Sequence, residues 1–140
     1  MLALKLVIDT NVVVSGALKP KGAEHAALIV AVTPPAMLFV SENILAEYAA
    51  VLSRPELRIR AAERQELIKL VKDHSRLVVR KRKLAVCSDP DDDIFLECAE
   101  TAHADYLITG NKKHFPVYWQ ATKIINAREL LEIIAPHLPI

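Results

Sequence analysis

Short apolar runs separated by stretches of helical spacing constrain this chain more than any other feature of its sequence. Leu2 to Ile8 is nearly continuous apolar sequence, which suits a strand buried on both faces, as in a parallel sheet. Met37–Val40, Leu77–Val79, Tyr106–Thr109 and Lys123–Ile125 read as further strands. Between them, Ala23 to Val32 reads as a helix closed by Pro34-Pro35. Ser41 offers an N-cap for a helix carrying Ile44, Leu45, Tyr48, Val51 and Leu52, which runs to the Arg54-Pro55 break. Arg60 to His74 is a more exposed helix, and Asp89 followed by Pro90 starts another through Phe95, Cys98 and Ala102. Asn126 with Glu129 forms a capping box for a last helix through Ile134. This alternation predicts a three-layer α/β/α sandwich around a mostly parallel sheet. No linker or repeat interrupts it, so residues 1–140 are expected to form a single domain.

Composition narrows the chemistry. With 52% apolar residues in 140, the chain can bury a sizeable core. The glycines Gly16, Gly22 and Gly110 are too scattered for a dinucleotide fingerprint, a Walker-type phosphate loop or a nucleophile elbow. Cys87 and Cys98 are expected as free thiols. No apolar stretch approaches the roughly 20 residues of a membrane span, and no signal peptide is evident, so a cytoplasmic protein without a membrane partner is expected.

In open parallel sheets, ligands bind beyond the carboxyl ends of the strands, so polar residues just after a strand carry information. Asp9 follows the first strand, and Asn111 follows Tyr106–Thr109 with only Gly110 between. Turn formation and helix capping are the plain alternative for such residues. Glu47 falls just outside the apolar stripe of its helix, placed to lean into a cleft. In the run Asp89 to Asp93, helical phase sets Asp92 beside the core face with Phe95 and Ala99. Asp93 is expected to project nearly opposite, and Asp91 to serve capping. If Asp9, Glu47 and Asp92 converge, their repulsion calls for a cation. Oxygen ligands without a His or Cys cluster suit Mg2+ or Mn2+ rather than zinc.

The ordered set Asp9-Thr10-Asn11, Ser41 with Glu47, Asp89-Pro90-Asp91-Asp92-Asp93 leading into Ile94-Phe95-Leu96-Glu97-Cys98-Ala99, and Ala104 to Asn111 resembles the PIN-domain family, in its branch of toxins related to VapC. The resemblance spans almost the whole chain. It implies a metal-dependent ribonuclease acting on RNA, restrained by a cognate antitoxin protein and forming a homodimer or higher homo-oligomer. Asp9, Glu47 and Asp92 stand at the family's three main acidic positions, Asn11 at the small polar position after the first, and Thr109 at the polar residue closing the later strand. Asn111 departs from the fourth aspartate of many relatives, and Asp93, a fourth candidate metal ligand beside Asp9, Glu47 and Asp92, is the residue that would compensate for its missing charge.

Two other readings compete. One is a catalytically weak PIN-like module that binds RNA or protein, motivated by Asn111. The other is a phosphoryl-transfer enzyme with Asp9 as nucleophile, although the usual second aspartate two residues on is absent. Residues 54–83 carry eleven basic and four acidic side chains, and residues 84–105 seven acidic and no Lys or Arg, so the formal charge of +1 conceals two opposed regions. Arg54, Arg58, Arg60 and Arg64, the group Arg80 to Lys83, and Lys112-Lys113-His114 are candidate phosphate contacts. Tyr118 and Trp119 are candidates to stack a base.

Overall fold

Leu6, Val7 and Ile8 are all fully buried, although successive strand side chains point to opposite faces. Both faces of the sheet are therefore covered at this strand. The computed structural model describes residues 3–137, so Leu2, the expected start of the strand, lies outside the described residues. The strands are β1 (Lys5–Ile8), β2 (Met37–Val40), β3 (Ser75–Leu77), β4 (Tyr106–Ile108), β5 (Tyr118–Trp119) and β6 (Thr122–Ile125). They form one sheet in the order β3-β2-β1-β4-β6-β5, parallel throughout except for β5 against β6.

Among the described residues, six α-helices flank the sheet: α1 (Thr10–Leu18), α2 (Ala23–Ala31), α3 (Glu42–Leu52), α4 (Ala61–Asp73), α5 (Asp93–Ala102) and α6 (Ala127–Ile134). The chain steps from β1 to β2 to β3 in one direction and then returns past both to β4. With the right-handed crossovers usual between parallel strands, the connections through α1 to α4 run over one face and the connection through α5 over the other. α5 packs on β1, β2 and β4, while α2 packs on α1 and α6. The largest fully buried side chains, among them Leu6, Ile8, Leu38, Tyr48, Phe95, Leu96 and Ile108, join sheet and helices in one core. This is the predicted three-layer α/β architecture.

Local chemistry accounts for most boundaries. Ser41 accepts the Ile44 N–H at 3.2 Å as the N-cap of α3. Asn126 and Glu129 make the expected capping box on α6, at 2.8 and 3.0 Å.

Helix α1 is absent from the sequence reading, because Thr10 and the β-branched run Val12–Val14 disfavour a helix by propensity. Packing overrides that preference: Val12, Val13 and Gly16 are buried. A Cβ on Gly16 would come within 3.4 Å of the α2 backbone, so a small residue lets the two helices meet closely. β3 starts two residues earlier than expected, and Tyr118-Trp119 forms a short strand. Asp89 and Pro90 open a 3-10 turn, Pro90–Asp92, before α5 begins at Asp93. Cys87 and Cys98 are free, Cys98 fully inside. Among the described residues, no helix is long and apolar enough to cross a membrane.

Candidate active site

β1 lies between β2, which follows it in the chain, and β4, which belongs to the returning half. Strand order reverses there, and the carboxyl ends of β1 and β4 open a crevice. Asp9 is the first residue past β1, and its N–H donates to the Ile108 carbonyl at 2.9 Å. The Thr109 hydroxyl donates to Asp9 Oδ2 at 2.7 Å and accepts the Asn111 N–H at 3.0 Å. Asn11 Oδ1 accepts the Gly110 N–H at 3.1 Å, and a Cβ on Gly110 would stand 3.4 Å from that oxygen. Segments 9–11 and 109–111 are thus laced together, with Asp9 94% buried beneath them and the Asn111 side chain exposed at the rim.

α3 brings the second carboxylate. Glu47 is half-buried, and its Oε2 accepts the Thr10 hydroxyl. The next residue, Tyr48, is wholly buried and donates its hydroxyl to the Ile8 carbonyl. One turn of α3 therefore touches both sides of Asp9, through Thr10 and Ile8.

Asp92 closes the 3-10 turn, whose start Asp89 fixes by accepting the Asp91 N–H at 2.9 Å. The Asp92 side chain is 16% exposed, and its Oδ2 is buried without a hydrogen-bond partner among the described residues. The group nearest that oxygen in charge is His114, whose Nδ1 stands 3.6 Å away from the turn after β4, too far for a hydrogen bond.

Asp93 corrects the helical-phase expectation. It is 4% exposed rather than outward-facing. The preceding 3-10 turn makes it the first residue of α5, where the 84–88 segment folds over it. Its Oδ1 accepts the N–H groups of Val86 and Cys87 at 3.0 and 2.9 Å. Burial, with the Asp93 hydrogen bond second, pushes the Cys87 thiol up to about 12. Asp93 is turned toward that backbone, whereas Asp92 faces the crevice.

All three crevice carboxyls hold their protons more tightly than usual, chiefly because burial strips away water. For Asp9, the Thr109 hydroxyl and the Thr10 N–H offset part of that effect, while Glu47 adds to it. For Glu47, the Thr10 hydroxyl opposes burial, Asp91 and Asp92 reinforce it, and Arg54 relieves it. Asp92 is pushed up to about 6 by burial first and then by Asp9 and Asp89, with His114 partly compensating. Asp9, Glu47 and Asp92 therefore come within electrostatic reach of one another from three separate segments. Among the described residues, no three His, Cys, Asp or Glu side chains stand close enough to enclose an ion as they are placed. Asp9 and Glu47 are each turned to a threonine hydroxyl. The donor set nevertheless fits a hard divalent cation: three carboxylates, one with an orphaned buried oxygen, whose raised proton affinities a cation would reverse.

Several sequence candidates lie elsewhere. Lys112 pairs with Glu129 at 2.7 Å. Arg80 and Arg82 pair with Glu97 and Glu100 on α5, at 3.1 and 2.6 Å. Tyr118 and Lys123 pack as a cation over a ring, with Lys123 beside Tyr106 at the amino end of β4, opposite the crevice. The sequence reading also missed the positioning contacts of Thr10 and Tyr48. Thr10 was visible only as part of the Asp9-Thr10-Asn11 motif, and Tyr48 only as one member of an apolar stripe.

A PIN domain family model matches residues 5–113. An uncharacterized protein of Methanocaldococcus jannaschii is 30% identical over 112 residues, covering 78% of this chain and 72% of that protein. Among solved structures, a chain of VapBC2 from Rickettsia felis, crystallised with a DNA fragment from its promoter, superposes with a TM-score of 0.60. It is 16% identical, and the match covers 88% of this chain and 98% of the other.

Proposed function

Because the chain belongs to the PIN-domain family, we propose that it is a divalent-metal-dependent endoribonuclease that hydrolyses RNA phosphodiester bonds. The observation that carries this reading is the gathering of Asp9, Glu47 and Asp92 at the switch point, with a buried Asp92 oxygen that no group among the described residues satisfies. Asp9, Glu47 and Asp92 would hold Mg2+ or Mn2+. When bound, such an ion lowers the pKa of water and neutralises charge on the phosphoryl oxygens.

The remaining work belongs to the chain. Thr109 and Thr10 orient the Asp9 and Glu47 carboxylates, and Tyr48 and the Asn11–Gly110 contact hold the two loops at fixed separation. Hydrolysis requires a proton to leave the attacking water. Glu47 and Asp92 are the two carboxylates that can take it. Asp92 Oδ2 has no hydrogen bond to give up, whereas Glu47 is already engaged by the Thr10 hydroxyl. Asn111 supplies a carboxamide at the rim for hydrogen bonding and no charge.

The structural likeness to a VapBC assembly supports the further reading that this nuclease is the toxin of a toxin–antitoxin pair. The uncharged Asn111 favours the second reading, a weakly catalytic module that binds RNA or protein. Incubating the protein with single-stranded and structured RNA, with Mg2+ and with EDTA, separates the two. Cleavage that requires Mg2+ and disappears in Asp9→Asn is expected. Cleavage untouched by EDTA, or retained in full by Asp9→Asn, refutes the nuclease site.

A further inference from the structure

Of the many basic residues in this chain, few are positioned to meet a strand lying across the acidic crevice. Arg60 is held by Glu63 at 2.6 Å, Arg80 and Arg82 are drawn onto α5, and Lys112 is tied to Glu129. Arg64, Lys69 and Lys72 line a groove with Ala49, Leu52 and Ser53 of α3 and its C-cap. At about 100° per residue, those α3 positions lie roughly 140–240° around the helix from Glu47. That groove opens away from the crevice.

Arg54 and His114 both stand beside the crevice carboxylates. Arg54 lies just past the end of α3, the helix that carries Glu47, as the residue before the 3-10 turn Pro55–Leu57. It is exposed, and its charge registers at Glu47. Among the described residues it makes no ion pair, so its guanidinium is available. On the opposite bank, the His114 side chain is 58% exposed and stands 3.6 Å from Asp92 without a hydrogen bond to it. A guanidinium and an imidazole N–H, set on either side of a carboxylate floor, fit two backbone phosphates flanking the one above the carboxylates.

We propose, resting on the nuclease reading above, that single-stranded RNA crosses the crevice with one phosphate held by Arg54 and another by His114. The other basic residues of the 54–83 segment take no part in holding this strand. Substrate contact is thus set by two residues sixty positions apart in sequence.

Fluorescence anisotropy of the full chain with a fluorescein-labelled oligouridine, in EDTA so that nothing is cut, tests this directly. Arg54→Ala is expected to raise Kd about three- to fivefold and to make the slope of log Kd against log salt shallower by about 0.7, one phosphate contact. His114→Ala should weaken binding by a similar factor, and His114→Gln, which keeps an N–H donor, should recover most of it. The triple variant Arg64→Ala, Lys69→Ala, Lys72→Ala should bind as the parent does. Both tested residues are exposed, and unchanged melting curves will show that the variants fold. Wild-type chain that fails to bind, unchanged binding in either single variant, or a loss confined to the triple variant overturns the proposal. RNA that is bound in this way but never cut with Mg2+ leaves the track standing and removes the nuclease reading. RNA that is cut while both single variants bind normally does the reverse.

Discussion

A carboxyl group that loses its water and gains like-charged neighbours can relieve itself by taking up a proton or by binding a cation. Asp92 is in that position, with a folded pKa of about 6 above its ordinary value. Its protonated form is the one folding favours. The stability it contributes is complete below about pH 4 and is lost as pH rises through about 6. Asp9 and Glu47 are displaced in the same direction. Asp73, Glu100 and Glu129, held low by their cationic partners, lose their contribution only at more acid pH. Metal-free protein should therefore melt at a higher temperature near pH 5 than at pH 7. Asp92→Asn should flatten that difference and stabilise the metal-free chain at pH 7 by on the order of 1 kcal/mol, allowing for solvent screening. Thermal melts across this range in EDTA measure both, and a profile identical in wild type and variant would count against the assignment.

At the scale of elements, what the sequence revealed depended on how local the deciding force was. α3 was legible because Ser41 caps it and Ile44, Tyr48 and Leu52 stripe it. α1 was not, because its β-branched residues are helical only through contact with α2. The orientation of Asp93 was hidden for a related reason: a 3-10 turn changes the phase, and the covering 84–88 segment cannot be placed from helical periodicity. The candidate carboxylates were legible by position, but the hydrogen bonds that aim them were not, since Tyr48 reads as apolar. Tyr48→Phe should retain the fold, cost about 1 kcal/mol in denaturant unfolding, and weaken divalent-cation binding severalfold in calorimetric titration. Asp93→Ala removes the acceptor of two N–H groups and should cost about 1–3 kcal/mol, with the greater effect on stability than on cation affinity. A cation affinity lost as completely as in an Asp9 variant would instead make Asp93 a ligand.

For the whole molecule, the near-neutral charge is the sum of two regions that touch. The 80–84 connector lies along α5, where Arg80 meets Glu97 and Arg82 meets Glu100. Glu97 is 3% exposed and also accepts the Leu84 N–H at 2.8 Å. Glu97→Ala should cost about 2 kcal/mol, measured by urea unfolding, because it strands a backbone donor as well as a cation. The parallel α/β class was readable from alternating strands and helices, whereas the strand order was not, since it depends on which crossover returns past β1. That order brings residues 9, 47 and 92 together. The most direct measurement of whether they act together is Mn2+ binding followed by electron paramagnetic resonance in wild type, Asp9→Asn, Asp92→Asn and Asp93→Asn. Loss of affinity of at least about tenfold in the first two variants, with Asp93→Asn close to wild type, is the expected result. Wild-type affinity in Asp9→Asn or Asp92→Asn would contradict a shared metal centre.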